Sequence, residues 1–109
     1  MEREFISTQK FDNLWAEIGL TENDRLALEQ YLLDNPQAGD VIPGLSGGRK
    51  LRFALKGRGK RRGVRVIYVD IVVREHIYLL LAYPKNVQTD MTPEQKALMN
   101  AFILTLKKE

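Results

Sequence analysis

Cysteine is absent from this sequence of 109 residues, and histidine occurs once, at position 76. The lack of cysteine excludes disulfides and thiolate metal sites. A single histidine offers too few partners for a histidine-based metal site or acid–base pair, so we expect neither a metal nor another cofactor. His76 itself is interpreted as a surface residue in a turn between two strands.

Long apolar runs are also missing. The longest run, Ile77 to Tyr83, is too short for a membrane helix, which needs about 20 residues. The first residues include acidic side chains and lack the apolar centre of a signal peptide. We therefore expect a cytoplasmic protein with no membrane partner. The length, with 44% hydrophobic and 28% charged residues, predicts one globular domain over residues 1–109.

Acidic residues are missing from one part of the chain. Residues 43–68, called the basic segment below, contain nine Lys or Arg and no Asp or Glu. Residues 1–42 contain three Lys or Arg and nine Asp or Glu, and residues 69–109 contain five of each sign. Because no ion pair can form within the basic segment, a polyanionic partner would relieve its repulsion.

Apolar residues at helical spacing predict three helices. The first covers residues 8–18 and places Trp15 in the core. The second begins after Thr21, a favourable N-cap, and stops before Pro36. The third begins after Thr92, which is followed by a proline in the first helical position.

Alternating and β-branched residues predict the strands. A short edge strand is expected in residues 2–7, and longer strands in residues 49–56, 64–73 and 77–83. Residues 38–48 are rich in Gly and Pro and are predicted to form a loop. The expected fold is α+β: a small twisted antiparallel sheet of three to four strands, with two amino-terminal helices and one carboxy-terminal helix packed on one face.

The basic segment also contains the candidate site. Strand alternation places Lys50 and Arg52 on one face, and Arg65 lies on the neighbouring strand. Arg65 interrupts an apolar strand, where a buried charge needs a partner. It either forms an ion pair, with an acid of the amino-terminal half or with Asp70, or binds an anion at the floor of a cleft. Lys85, after the last strand, is a further candidate for the same cluster.

The predicted hairpin loop adds cations beside this cluster. Strand cations can hold one phosphate while loop cations contact its neighbours, an arrangement that suits a nucleic-acid backbone. Tyr68 and Tyr78 are candidates for stacking on bases, although tyrosines in strands usually pack in the core. The residues predicted to bind RNA or the ribosome are Lys56, Arg58, Lys60, Arg61 and Arg62.

Three ordered blocks resemble the RelE/ParE toxin superfamily, in particular its HigB-like branch. They are GDVIPGLSGGRKLRFALKGRGKRRGVRVIYV, IYLLLAYPKN and the helix that begins at Thr-Pro-Glu. The resemblance covers residues 11–107. It implies a toxin of a type II toxin–antitoxin system: a metal-independent endoribonuclease, or mRNA interferase, that cleaves mRNA in the ribosomal A site. It also implies contacts with ribosomal RNA and a cognate antitoxin with a helix-turn-helix domain.

The resemblance also implies roles for single residues. In such enzymes the RNA 2′-OH attacks the adjacent phosphate, giving a 2′,3′-cyclic phosphate and a 5′-OH, and fixed cations stabilise the developing charge. Arg52 and Arg65 are assigned to the phosphate, and Lys50 to proton transfer. Asn86 stands where some relatives have an arginine, and Thr92 or a residue near it stands where some have a tyrosine. The residues left for the remaining acid or base are Lys85, Tyr83 and Asp90.

Two other functions are compatible with the sequence. A ParE-like toxin would inhibit DNA gyrase by binding, without catalysis, because a shared fold does not fix function. A catalytically inactive RNA-binding relative is the second alternative, since the arginine and tyrosine of some relatives are missing.

Overall fold

The structure, a computed structural model, describes residues 2–54, 63–84 and 91–108. These residues form a five-stranded sheet with helices on both faces. Along the chain the elements are β1 (Glu4–Ser7), α1 (Gln9–Ile18), α2 (Glu22–Asp34), β2 (Asp40–Val41), β3 (Arg49–Ala54), β4 (Gly63–Ile71), a 3₁₀ turn (Val72–Arg74), β5 (His76–Pro84) and α3 (Pro93–Lys107).

The sheet is mixed and has the order β1-β5-β4-β3-β2. β1 pairs with β5 in parallel, and the other neighbours are antiparallel. The α+β class and the three long strands are confirmed, whereas the purely antiparallel sheet of three to four strands is wrong. β2 has only two residues within the predicted loop, too few for an alternating pattern to show. A short edge strand such as β1 likewise carries no signal of its direction.

The three predicted helices are confirmed. Each is preceded by a threonine whose side chain caps its first turn. The Thr8 hydroxyl accepts a hydrogen bond from the Phe11 amide at 3.0 Å. Thr21 and Thr92 each form a capping box with the third helical residue, which satisfies amides that have no partner within the helix. Gly19 ends α1 with a φ of 86°, which a glycine adopts without strain. Within the described residues, no helix combines the length and apolarity needed to cross a bilayer.

Both faces of the sheet are buried. On one face, α1 and α2 contribute Phe11, Trp15, Leu28 and Leu32 to a core cluster. On the other face, Ile103 of α3 and Leu45 of the loop after β2 pack on the sheet. The expectation that all helices lie on one face is therefore wrong. β4 and β5 are nearly continuous apolar runs, and such strands need cover on both sides.

A buried ion pair joins the amino terminus to the centre of the sheet. Arg3 Nε and Nη2 donate to the two carboxylate oxygens of Asp70 at 2.8 and 3.1 Å. The two side chains are 7% and 11% exposed. The carboxylate favours the charged guanidinium and raises the pKa of Arg3 above its ordinary value. Arg3, which directly precedes β1, thus fixes the Asp70 side chain of β4.

Breaking this pair on one side should destabilise the fold. We expect Arg3→Met to lower the free energy of unfolding by about 3 kcal/mol, because it leaves the Asp70 carboxylate buried without its partner. The double variant Arg3→Met/Asp70→Asn removes both charges and should recover part of that loss. Urea denaturation followed by circular dichroism measures both values. A double variant that is less stable than Arg3→Met would contradict the explanation.

Candidate functional site

A cavity of about 310 Å³ opens on the sheet face covered by α3. The sheet forms its floor, the residues around β2 form one wall, and the start of α3 forms another. We call it the basic cavity. Its described lining residues are Asp40, Val41, Ile42, Pro43, Lys50, Arg65, Ile67, Tyr83, Met91 and Lys96.

Arg65 lies on the floor of the basic cavity and is 6% exposed. Its strand, β4, is central, and Arg65 is in register with Arg52 on β3 and Tyr83 on β5. Strand alternation directs Arg65 toward α3 and Asp70 toward the opposite face, where Arg3 binds the Asp70 carboxylate. An ion pair between Arg65 and Asp70 is therefore wrong as an explanation of the charge in this strand.

Lys50 and Arg52 follow each other on one face of β3 but have different surroundings. Lys50 is half-buried in the basic cavity, in register with Ile67 and with Asp40 of β2. Arg52 is exposed and lines a separate depression beside α2, together with Asp24 and other residues. β2 covers β3 only as far as Lys50, so Arg52 lies where β3 has one described neighbour strand. The structure thus places Lys50 with Arg65 in the cavity and leaves Arg52 outside its lining.

Lys96 lines the basic cavity and was missed by the reasoning from sequence. It is the fourth residue of α3 and is half-buried. The capping residues predict the start of α3 and the apolar stripe predicts its buried side, but neither pattern indicates a role for a polar residue beside the stripe. The side that Lys96 presents depends on how α3 packs on the sheet, which local sequence does not specify.

Tyr83 lines the cavity directly across the sheet from Arg65. Its hydroxyl is buried and has no hydrogen-bond partner among the described residues. Burial raises the pKa of Tyr83 above its ordinary value. The phenol is therefore protonated at neutral pH, and it can give a proton to a ligand but cannot take one from it.

The loop of residues 42–48 fixes one wall of the cavity to α3. The Ile42 amide donates to the Gly48 carbonyl at 2.9 Å, and Leu45 is fully buried under α3. The Ser46 hydroxyl donates to Asn100 Oδ1 at 2.5 Å. The Ser46 carbonyl accepts a hydrogen bond from Lys107 Nζ, near the end of α3. Ser46 thus fixes this wall to the middle and the carboxyl end of α3.

Several predicted site residues lie outside the described residues. One of them is the predicted catalytic residue Lys85. The others are the predicted RNA-binding cations Lys56, Arg58, Lys60, Arg61 and Arg62. Asn86 and Asp90 also lie outside the described residues. Within the part of the chain that the structure describes, no group of three or more His, Asp or Glu could hold a metal ion.

The remaining aromatic and histidine candidates lie in the core or near it. Tyr68 is fully buried, accepts from the Gly39 amide at 3.0 Å and donates to the Pro36 carbonyl at 2.9 Å. Tyr78 packs edge-on against Phe102. Both tyrosines therefore pack as strand tyrosines usually do. His76 begins β5 and is half-buried, so its placement in a turn is wrong.

No family model matches the sequence. A solved structure of similar fold is a double arginine-to-alanine mutant of the E. coli toxin RelE in the free state. The similarity has a TM-score of 0.56 and 16% sequence identity, and it covers 81% of this chain and 88% of that chain. At this identity the comparison establishes the fold. The chain has a RelE-like α+β fold.

Proposed function

We propose that this protein is a toxin of a type II toxin–antitoxin system that cleaves mRNA on the ribosome. The observation that carries the proposal is the position of Arg65, an arginine residue that is 6% exposed on the floor of a basic cavity. The RelE-like fold adds support, because the solved structure of similar fold is that of a toxin. On this proposal, the basic cavity holds the phosphodiester that is cleaved.

The charge of the cavity favours an anionic ligand. Its described lining side chains include three cations and one carboxylate, that of Asp40. A cavity lined by more cations than carboxylates attracts anions, and a phosphate that enters can accept charge-assisted hydrogen bonds. Arg65 presents several donors in one plane, which match the oxygens of a phosphate better than a single ammonium does.

The proposed reaction needs no group beyond the RNA and the protein. The 2′-oxygen attacks the adjacent phosphorus, the bond from phosphorus to the 5′-oxygen breaks, and a 2′,3′-cyclic phosphate forms. A base accepts the proton of the 2′-hydroxyl, and an acid donates a proton to the leaving 5′-oxygen. Negative charge grows on the phosphate oxygens, and Arg65 stabilises it from a fixed position, joined by Lys50 once that side chain has taken up the proton of the 2′-hydroxyl.

Proton transfer is assigned to groups near the scissile phosphate. Lys50 is our candidate for exchange with the 2′-hydroxyl, because it lines the cavity beside Arg65. Burial raises the pKa of Tyr83 further above neutrality, so we consider Tyr83 as a proton donor and not as the base. Lys85 stays a candidate for the leaving-group acid.

The proposal extends to partners. We expect cytoplasmic action on mRNA bound to the ribosome, with the loop cations of the basic segment contacting RNA. We also expect a cognate antitoxin with a helix-turn-helix domain that neutralises the toxin. A short neighbouring reading frame with such a domain would support this pairing.

The proposal is tested with purified protein and ribosomes programmed with a defined mRNA. Cleavage should leave a 2′,3′-cyclic phosphate and a 5′-hydroxyl, which primer extension and end-specific ligation detect. A matched control is Lys10→Gln in α1, which lies on the opposite face of the sheet and should leave cleavage unchanged. Intact mRNA in every reaction would refute the proposal, and inhibited gyrase supercoiling in the same preparation would favour the ParE-like alternative.

The two strand residues Lys50 and Arg52 should contribute unequally. We expect Lys50→Gln to lower the rate of cleavage about a hundredfold, because it removes a cation from the cavity. Arg52→Gln should lower the rate about tenfold or less, since Arg52 is exposed outside the cavity lining and exposed charges are screened by solvent. Single-turnover cleavage rates on programmed ribosomes measure both effects. The reverse order would show that Arg52 holds the scissile phosphate.

A further inference from the structure

We infer that Lys96 binds a second phosphate of the RNA, adjacent to the scissile phosphate held by Lys50 and Arg65. The inference rests on the proposed function and adds a residue that positions the substrate. It starts from placement, because Lys96 reaches the basic cavity from α3, whereas Lys50 and Arg65 reach it from the sheet. Cations on the floor and on a wall can contact successive phosphates of one strand.

Lys96 is half-buried and lines the cavity from α3. Partial burial removes some of the water that would solvate its ammonium. A phosphate oxygen that enters the cavity replaces those lost interactions with a charge-assisted hydrogen bond.

Lys96 also lacks a competing partner within the described residues. The structure shows no ion pair there between its ammonium and any carboxylate at 4.0 Å or less, although Asp40 lines the same cavity. Only the backbone of Lys96 forms a described hydrogen bond, through its amide to the Thr92 carbonyl at 2.9 Å. The ammonium is therefore available to an RNA phosphate without first breaking an ion pair.

The position of Lys96 depends on a glycine in the cavity wall. Gly44 has a φ of 77°, and a Cβ built on it would lie 3.4 Å from Lys96 Cε and 3.5 Å from Nζ. The lysine stem therefore packs along the bare backbone of Gly44. Because residues 42–48 are anchored to α3, this contact limits where the ammonium can lie. Lys96 is thus a positioned donor and not only a mobile surface charge.

The test compares Lys96 variants on synthetic mRNAs that differ by one charge. Ribosomes are programmed with unmodified mRNA, or with mRNA carrying an uncharged methylphosphonate at the linkage before or after the cleaved one. On unmodified mRNA, Lys96→Gln should raise KM about tenfold, as expected for losing a hydrogen bond to a charged group, with kcat within twofold. On one of the two modified mRNAs, Lys96→Gln and the wild type should have the same KM, because the phosphate charge that Lys96 contacts is already missing.

Controls separate this inference from the proposed function. Lys96→Arg should restore KM, and Lys108→Gln, with the same charge change at the far end of α3, should behave as the wild type. If the wild type cleaves mRNA but the Lys96→Gln penalty is equal on all three substrates, the inference is wrong and the function stands. A lowered kcat with unchanged KM would also overturn it. If the wild type cleaves none of the substrates, the proposed function fails and the inference with it.

Discussion

Replacement of Arg65 by methionine is expected to lower the rate of mRNA cleavage by about a hundred- to a thousandfold. The guanidinium is fixed on the floor of the basic cavity, and removing one fixed donor from a charged transition state typically has an effect of this size. Methionine has a similar length and no charge, so the buried position stays filled. Single-turnover rates on programmed ribosomes measure the change, because they exclude product release.

The comparison with a lysine at this position separates charge from geometry. Arg65→Lys keeps the positive charge but loses the planar set of donors, so we expect an intermediate rate, about tenfold to a hundredfold below the wild type. Circular dichroism should show that both variants are folded. If Arg65→Met cleaves mRNA at a rate within fivefold of the wild type, Arg65 does not take part in catalysis. The assignment of the reaction to the basic cavity would then lose its main residue.

The sequence predicted those parts of the site that depend on local patterns. Arg65 stood out because a charge interrupts an apolar strand, and a strand covered on both faces leaves such a charge no route to solvent. The helix starts were equally local, since a threonine cap and its partner three residues later form the signal themselves. These features needed no knowledge of which elements pack together.

The parts that were missed depend on non-local packing. Alternation placed Lys50 and Arg52 on one face, but it could not indicate that β2 covers β3 only up to Lys50. Nor could the pattern of α3 specify that this helix packs opposite α1 and α2 and brings Lys96 to the cavity. A helix can bury its apolar stripe against either face of a sheet. The face on which α3 packs determines which of its polar side chains line the cavity.

The largest effect on stability within the cavity wall is expected for Leu45→Ala, at about 2–5 kcal/mol of unfolding free energy. Leu45 is fully buried between the sheet and α3, and truncating a buried leucine removes apolar contacts and leaves a cavity. A Cβ on Gly48 would already lie 2.5 Å from Leu45 Cδ2, which shows how closely the backbone follows this side chain.

The same substitution links the fold to the chemistry. Leu45 holds residues 42–48 against α3, so its loss should loosen the wall that positions Lys96 and should reduce cleavage even below the unfolding temperature. Urea denaturation measures the stability, and cleavage is assayed where circular dichroism shows a folded protein. The matched control is Leu98→Ala, a leucine of α3 that is 75% exposed and should change stability by less than about 0.5 kcal/mol. Equal losses in the two variants would mean that Leu45 does not anchor the wall, because burial would then make no difference to the contribution of a leucine in this region.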